Sequence, residues 1–124
     1  MKPYVAKIHV PMYDWDVYFY TNKKRALPHI ERVGFASKSL DAWHKTNGGI
    51  SSIDAESHDA FVGIFSGPIG TTRHADTLAH ECVHVAMAVL ARAGVLIEPE
   101  NHEALAYLVG FLVNEYLTSA KKRK

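Results

Sequence analysis

Cysteine is almost missing from this chain of 124 residues, since Cys82 is the only one. A single cysteine excludes an internal disulfide framework and is typical of proteins from a reducing compartment. The sequence has no apolar run that approaches the roughly 18 residues of a membrane-spanning helix. Its first residues do not show the long apolar stretch of a secretory signal. We therefore expect a cytoplasmic protein without a membrane partner.

An excess of charge of one sign is also missing. Fourteen Lys and Arg residues are balanced by thirteen Asp and Glu residues, so the net charge is +1 when His is neutral. Such a balance gives no global field that would attract nucleic acid. The basic segment 120–124 fits a solvated helix end, where cations suit the negative end of the helix dipole. We expect no nucleic-acid partner.

Linkers, low-complexity tracts and internal repeats are lacking too, and the length is that of one domain, 1–124. Strand patterns are concentrated in the first half. Residues 5–10 alternate, and residues 13–21 are aromatic and β-branched, which predicts a hairpin or meander. The apolar run 60–66, closed by a Gly-Pro pair, predicts another strand, whereas residues 50–53 are ambiguous.

Helix patterns dominate the second half. Apolar residues at three- and four-residue steps predict a helix over 72–93, which Gly94 ends. After a seven-residue connector, Asn101 can cap a last helix that runs to about Thr118. Shorter helices are expected at 23–33, between a cap at Asn22 and a stop at Gly34, and at 39–45. Strands first and long helices last predict an α+β fold, with a mostly antiparallel sheet and helices packed on one of its faces.

The spacing of two of the eight histidines indicates chemistry. His80 and His84, in the sequence HECVH, are four residues apart. On a helix this spacing turns the second side chain only about 40° from the first, so both imidazoles leave the same face. Two such nitrogens can share one zinc ion at about 2.0–2.1 Å. Glu81, one step round the helix, suits a general base beside a zinc-activated water.

A chance occurrence of this pattern is the alternative. With eight His and several Glu residues, accidental matches arise, but they usually fall in loops or on polar faces. His80, Glu81 and His84 instead lie within an apolar, Ala-rich helical segment, with Leu78 and Ala79 before them. Buried polar groups need compensation, which a metal ion provides. The sequence therefore favours a zinc site.

A catalytic zinc site usually has three protein ligands and one open position. The candidates for the third ligand are Glu98, Glu100, His102 and Glu103. The chain must return roughly 15 Å along the helix at 1.5 Å per residue, and a seven-residue connector reaches about 23 Å. The next helix can therefore begin beside the metal. We choose Glu103, which would lie in the first turn of that helix, and keep His102 as the alternative.

HECVH followed by Glu103 resembles the gluzincin metallopeptidases, which pair HExxH with a Glu on the next helix. In length the chain is similar to minimal members and to small metallopeptidase-like proteins of bacteria and phages. The resemblance implies a zincin-like domain, a Zn²⁺ ion held by His80, His84 and Glu103, and Glu81 as base. It also implies that a strand before the HExxH helix, here 60–66, lines the cleft and pairs with an extended peptide or protein substrate.

Two weaker signals accompany this pattern. Tyr107 follows Glu103 by one helical turn and would either donate to an oxyanion or pack in the core. Asp76 would either orient the imidazole of His80 or stabilise the start of its helix. The predicted function is zinc-dependent hydrolysis of a peptide or related amide bond. The alternative is a zinc-containing protein-binding or regulatory module without turnover.

Overall fold

The computed structural model describes residues 2–33 and 37–122, which form an α+β fold with four strands and four helices. The predicted fold class is thus confirmed, and the ambiguous residues 50–53 belong to a strand. The elements in chain order are β1 (Ala6–Val10), β2 (Trp15–Tyr20), α1 (Lys23–Arg32), α2 (Ser37–Lys45), β3 (Gly49–Asp54), β4 (Asp59–Ile64), α3 (Thr72–Arg92) and α4 (Glu103–Lys122).

The sheet has the strand order β1-β2-β4-β3. β1 and β2 form one antiparallel hairpin, β3 and β4 form a second, and the central pair β2–β4 is parallel. The sheet is therefore mixed, although two of its three pairings are antiparallel. The crossover that brings β4 parallel to β2 contains α1, α2 and β3, which explains why two hairpins lie side by side.

Helices cover both faces of this sheet, so the prediction that they pack on one face is wrong. The reason lies in β2, which apart from Asp16 has apolar or aromatic side chains on both of its sides. Val17 and Phe19 belong to the core under α3 and α4, whereas Tyr18 and Tyr20 belong to the cluster under α1 and α2. A strand that is apolar on both sides needs cover on both sides.

α3 and α4 pack against each other on one face. α3 also packs on β3 and β4, and α4 also packs on β1. A buried polar contact joins the two helices: His74 Nε2 lies 2.9 Å from the hydroxyl of Tyr116, and His74 Nδ1 lies 3.0 Å from the carbonyl of Gly67. Because a carbonyl only accepts, Nδ1 donates and Nε2 accepts from Tyr116. Burial raises the pKa of Tyr116, which keeps its hydroxyl a donor.

The ends of the helices test the predicted caps. Asn22 caps α1 as predicted, since its side chain accepts from the backbone N–H of Arg25 at 3.2 Å. The predicted stop at Gly34 lies outside the described residues. Gly94, at φ +78°, follows the C-terminus of α3 as expected. The predicted cap Asn101 lies two residues before α4, which begins at Glu103, and its side chain donates to the carbonyl of Leu96 at 3.2 Å.

The long helices also bear on the membrane prediction. The two longest, α3 and α4, have 21 and 20 residues. Length alone does not make a helix a membrane span, since the span must also be apolar. None of the helices in the described ranges is both long and apolar enough to cross a bilayer.

Candidate metal centre

His80 and His84 lie one turn apart on α3 and meet as their spacing predicts. Their Nε2 atoms are 3.2 Å apart, and their rings are inclined at 68°. Two nitrogens bound tetrahedrally to one zinc ion at 2.0–2.1 Å are about 3.4 Å apart. The separation also suits a hydrogen bond between two neutral rings, in which one Nε2 donates to the other. The pair is therefore spaced as two ligands of one ion would be, and zinc would displace the shared proton.

Glu81 lies beside this pair but is buried. Its side chain is 8% exposed, whereas that of His80 is 66% exposed, and its Oε2 atom lies 3.9 Å from His80 Nε2. A carboxylate so placed is shielded from bulk water and adjoins the nitrogens at which a metal would sit. This is the position that a proton acceptor beside the metal requires. His80, His84 and Glu81 are thus brought together.

These three residues form one wall of a cleft between α3 and β3. The cleft has a volume of about 540 Å³ and is open to solvent. Its other wall is the edge strand β3, because β3 is the last strand of the sheet. The cleft is lined by Gly49, Ile50, Ser51, Ser52, Ile53, His80, Glu81, His84, Val85 and Ala88.

The strand that lines the cleft is not the one that the resemblance implies. Residues 60–66 correspond to β4, which pairs with β2 on one side and with β3 on the other. β4 therefore has no edge to offer an extended substrate. Gly48 directly precedes β3, and Gly49 is its first residue. The edge position of β3 depends on long-range pairing, so local patterns did not reveal it.

The third predicted ligand, Glu103, is the first residue of α4 and is exposed. Within residues 2–33 and 37–122, no three His, Cys, Asp or Glu side chains converge into a group that could hold a metal ion. The histidine cleft faces β3, whereas the body of α4 packs toward β1 at the opposite end of the sheet. Glu98, Glu100 and His102 are exposed as well. Glu103 as third ligand stays a prediction.

Tyr107 and Asp76 lie away from the cleft. Tyr107 is 75% exposed, so it is not the buried core residue that was one of its two predicted roles. It lines a separate apolar groove between the β1–β2 turn and α4, together with Met12 and Phe111. Asp76 is exposed on α3, one turn before His80. The predicted roles of Tyr107 at an oxyanion and of Asp76 in orienting His80 stay predictions.

Sequence reasoning missed the contact between Gly49 and Glu81. A Cβ atom at position 49 would lie only 2.8 Å from Glu81 Oε2 and would collide with the Cγ2 methyl of Thr77. The glycine therefore allows α3 to approach the edge strand at the position of Glu81. The signal available in the sequence was the Gly-Gly pair, but its partner on α3 is 32 residues away, from 49 to 81.

Comparison with known proteins finds no match: no family model, no curated protein and no solved structure is significantly similar to this chain. The likeness to gluzincin metallopeptidases therefore depends on the residues themselves. Those residues are His80, Glu81 and His84 in α3, and Glu103 at the start of α4.

Proposed function

We propose that this chain is a zinc-dependent hydrolase of peptide or related amide bonds. One observation carries the proposal: two imidazole Nε2 atoms lie 3.2 Å apart at the wall of an open cleft, and a buried carboxylate lies 3.9 Å from one of them. Two neutral nitrogens at this spacing suit zinc, and the adjacent carboxylate supplies the base that hydrolysis needs. A histidine pair that only stabilised the fold would not require Glu81 at the cleft.

Each residue has a distinct role in this proposal. His80 and His84 would hold the ion through Nε2. A bound zinc ion would supply Lewis acidity, which polarises a substrate carbonyl and acidifies water. Glu81 accepts the proton of the attacking water at its carboxylate and later delivers it to the leaving amine. Its burial keeps bulk water from competing for that proton.

The edge strand β3 supports a peptide as the substrate. An edge strand presents unpaired backbone groups, to which an extended peptide adds as a further strand. β3 runs along the cleft from Gly49 to Ile53, opposite the histidine pair. A peptide that paired with this edge would pass its backbone carbonyls in front of His80 and His84, where cleavage would occur.

The central test separates metal binding from turnover. We expect the purified protein to contain stoichiometric zinc by mass spectrometry and to cleave members of a peptide library. Glu81→Gln should keep the zinc and lose hydrolysis by about 10²–10⁴-fold, because the amide cannot accept a proton. Equal turnover by Glu81→Gln and the parent would remove Glu81 from its role as base.

Glu103 is tested by the same measurement. If Glu103 is the third ligand, as the resemblance implies, Glu103→Ala should weaken zinc binding at least about tenfold, since each lost ligand costs affinity. His102→Ala is measured beside it, because His102 is the alternative candidate for the third ligand. Unchanged affinity in Glu103→Ala would give the third position to another group or to solvent.

A second candidate function is a zinc-containing protein-binding or regulatory module without turnover. It is favoured by the lack of a third converging ligand among the described residues, because two histidines alone bind zinc weakly and exchangeably. This module would be favoured over the hydrolase if zinc binding required His80 and His84 and if the parent protein cleaved no member of the peptide library.

A further inference from the structure

We infer that Gly49 is the positioning residue for Glu81: the bare backbone of β3 at this position sets where the carboxylate stands beside His80. The inference rests on the proposed function, in which Glu81 is the base. The edge strand β3 would then position the base in addition to binding the substrate. A Cβ atom at position 49 would lie 2.8 Å from Glu81 Oε2 and 3.1 Å from Glu81 Cγ.

Thr77 forms the second side of this contact. It precedes Glu81 by four residues on α3, so both side chains leave the same face of the helix. Its Cγ2 methyl occupies the space in front of Gly49. Its hydroxyl lies 2.6 Å from the hydroxyl of Ser66, which also donates to the carbonyl of Arg73 at 3.1 Å. The rotamer of Thr77 is therefore fixed, with its methyl toward β3.

The backbone of β3 is held equally firmly on the opposite side. The carbonyl of Gly48 accepts from the backbone N–H of Phe65 at 2.8 Å. The carbonyl of Gly49 accepts from the hydroxyl of Thr46 at 3.4 Å. Neither the strand nor Thr77 can retreat without breaking hydrogen bonds. A side chain at position 49 must therefore strain against the methyl of Thr77, its closest neighbour, and must also displace the carboxylate of Glu81, which is the least restrained group in contact with it.

The two collisions at position 49 can be separated by a second substitution. Thr77→Ser removes the methyl that a Cβ would strike hardest and keeps the hydroxyl that bonds to Ser66. In the double variant Gly49→Ala/Thr77→Ser, the closest remaining contacts of the new Cβ are with Oε2 and Cγ of Glu81. The end of a Glu side chain turns at little cost, so this variant should fold and still hold Glu81 out of place.

Gly48→Ala is the matched control. Gly48 adjoins Gly49, and a Cβ atom there would have nothing within 4 Å. Gly48→Ala therefore adds the same methyl to the same segment without touching Glu81. The experiment uses the full-length parent, Gly48→Ala, Thr77→Ser, Gly49→Ala and the double variant.

The first readout is crystallographic and does not depend on activity. In the parent and Thr77→Ser, Glu81 Oε2 should lie near 3.9 Å from His80 Nε2. In the double variant Glu81 Oε2 should be displaced from its position in Thr77→Ser by more than about 1 Å, the scale of misplacement that matters for catalysis. An unmoved Glu81 in the double variant would overturn the inference whatever the activity.

The second readout is kinetic. Relative to Thr77→Ser, the double variant should lose about 10–100-fold in kcat, while its KM and its zinc affinity stay within about twofold. Gly49→Ala alone should also melt about 5 °C or more below the parent, and Thr77→Ser should restore most of that loss. A kcat loss of equal size in Gly48→Ala would overturn the inference, since that methyl touches nothing. A parent that neither binds zinc nor cleaves peptides would refute the proposed function, and the crystal structures would still decide the placement of Glu81.

Discussion

Histidines at the start and in the middle of α3 have opposite surroundings. His74, in the first turn of α3, is 1% exposed, and both of its ring nitrogens have partners in the fold. His80 and His84, two and three turns further along, are exposed, and each Nε2 faces the other across 3.2 Å at a cleft. The residue type is the same, but the partners differ.

This difference separates a histidine that holds the fold together from a pair that is available to a ligand. A buried imidazole with both nitrogens satisfied stabilises the native state and cannot bind a metal without losing those bonds. An exposed pair adds little to folding, because solvent satisfies it equally well in the unfolded chain. Substitution of His74 should therefore lower the stability of the fold, whereas substitution of His80 or His84 should lower the zinc affinity.

The largest expected effect is on zinc affinity. Losing a group that only orients a ligand costs about 10–100-fold in metal affinity. Losing a ligand itself should cost more, so His80→Ala or His84→Ala should lower the zinc affinity at least about 100-fold. Zinc in excess should raise the unfolding temperature of the parent, because it binds the native state, and should not raise that of either variant. Competition with a chromophoric chelator and thermal unfolding measure both effects.

His44→Ala is the control for this prediction, since His44 is an exposed histidine on α2. Its zinc affinity should equal that of the parent. If the His80 and His84 variants retained parental affinity, the comparison with His74 would fail, because the exposed pair would then not bind the metal.

The second largest effect is expected on stability, when His74 in the first turn of α3 is substituted. His74→Phe replaces the imidazole by a somewhat larger apolar ring, so the buried hydroxyl of Tyr116 and the half-buried carbonyl of Gly67 both lose their partner. Each such orphaned group costs about 1–3 kcal/mol, so the free energy of unfolding should fall by roughly 2–4 kcal/mol. His80→Phe, at an exposed site, should change it by less than about 0.5 kcal/mol in metal-free protein. Urea denaturation monitored by circular dichroism measures both.

A double-mutant cycle sharpens this result. Tyr116→Phe leaves only His74 Nε2 without its donor, and adding His74→Phe removes both partners of that bond. The two losses should therefore be less than additive, with a coupling of about 0.5–3 kcal/mol. Additive losses would mean that the 2.9 Å contact between His74 and Tyr116 does not stabilise the fold.

Much of the fold follows from local patterns in the sequence. The steps of apolar residues in α3 and the alternation in β1 predict their elements to within a residue or two. The predicted number of covered sheet faces was wrong, because Tyr18 and Tyr20, on the side of β2 opposite Val17 and Phe19, pack under α1 and α2. Which face an aromatic residue buries depends on the helices that arrive there, which is a long-range property.

Those contacts of the candidate site that join neighbouring residues of one helix could be predicted from the sequence. Those that join segments far apart in the chain could not. The contact between His80 and His84 follows from helical spacing alone. The predicted position of Glu103 relied on the reach of a connector. Reach sets how far the chain can travel but not on which side of α3 the next helix packs. The edge position of β3 likewise required the pairing of β4 with β2, which no local pattern encodes.

The smallest expected effect concerns His29 on α1, which is half-buried and whose Nδ1 lies 2.6 Å from the hydroxyl of Tyr20. Burial, and then the charge of Arg32, lower the pKa of His29 below its ordinary value, against a weaker opposing effect of Asp59. As the pH falls, the unfolded chain therefore binds this proton first. The stability from neutral His29 is full above its unfolded pKa, near 6.5. It decreases as the pH drops from there toward the folded pKa. We expect the free energy of unfolding, measured by denaturation from pH 8 to pH 5, to depend less on pH in His29→Gln than in the parent. If the parent and His29→Gln showed the same pH dependence, the partial burial of His29 would have no effect on stability, and His29 would behave like the exposed histidines.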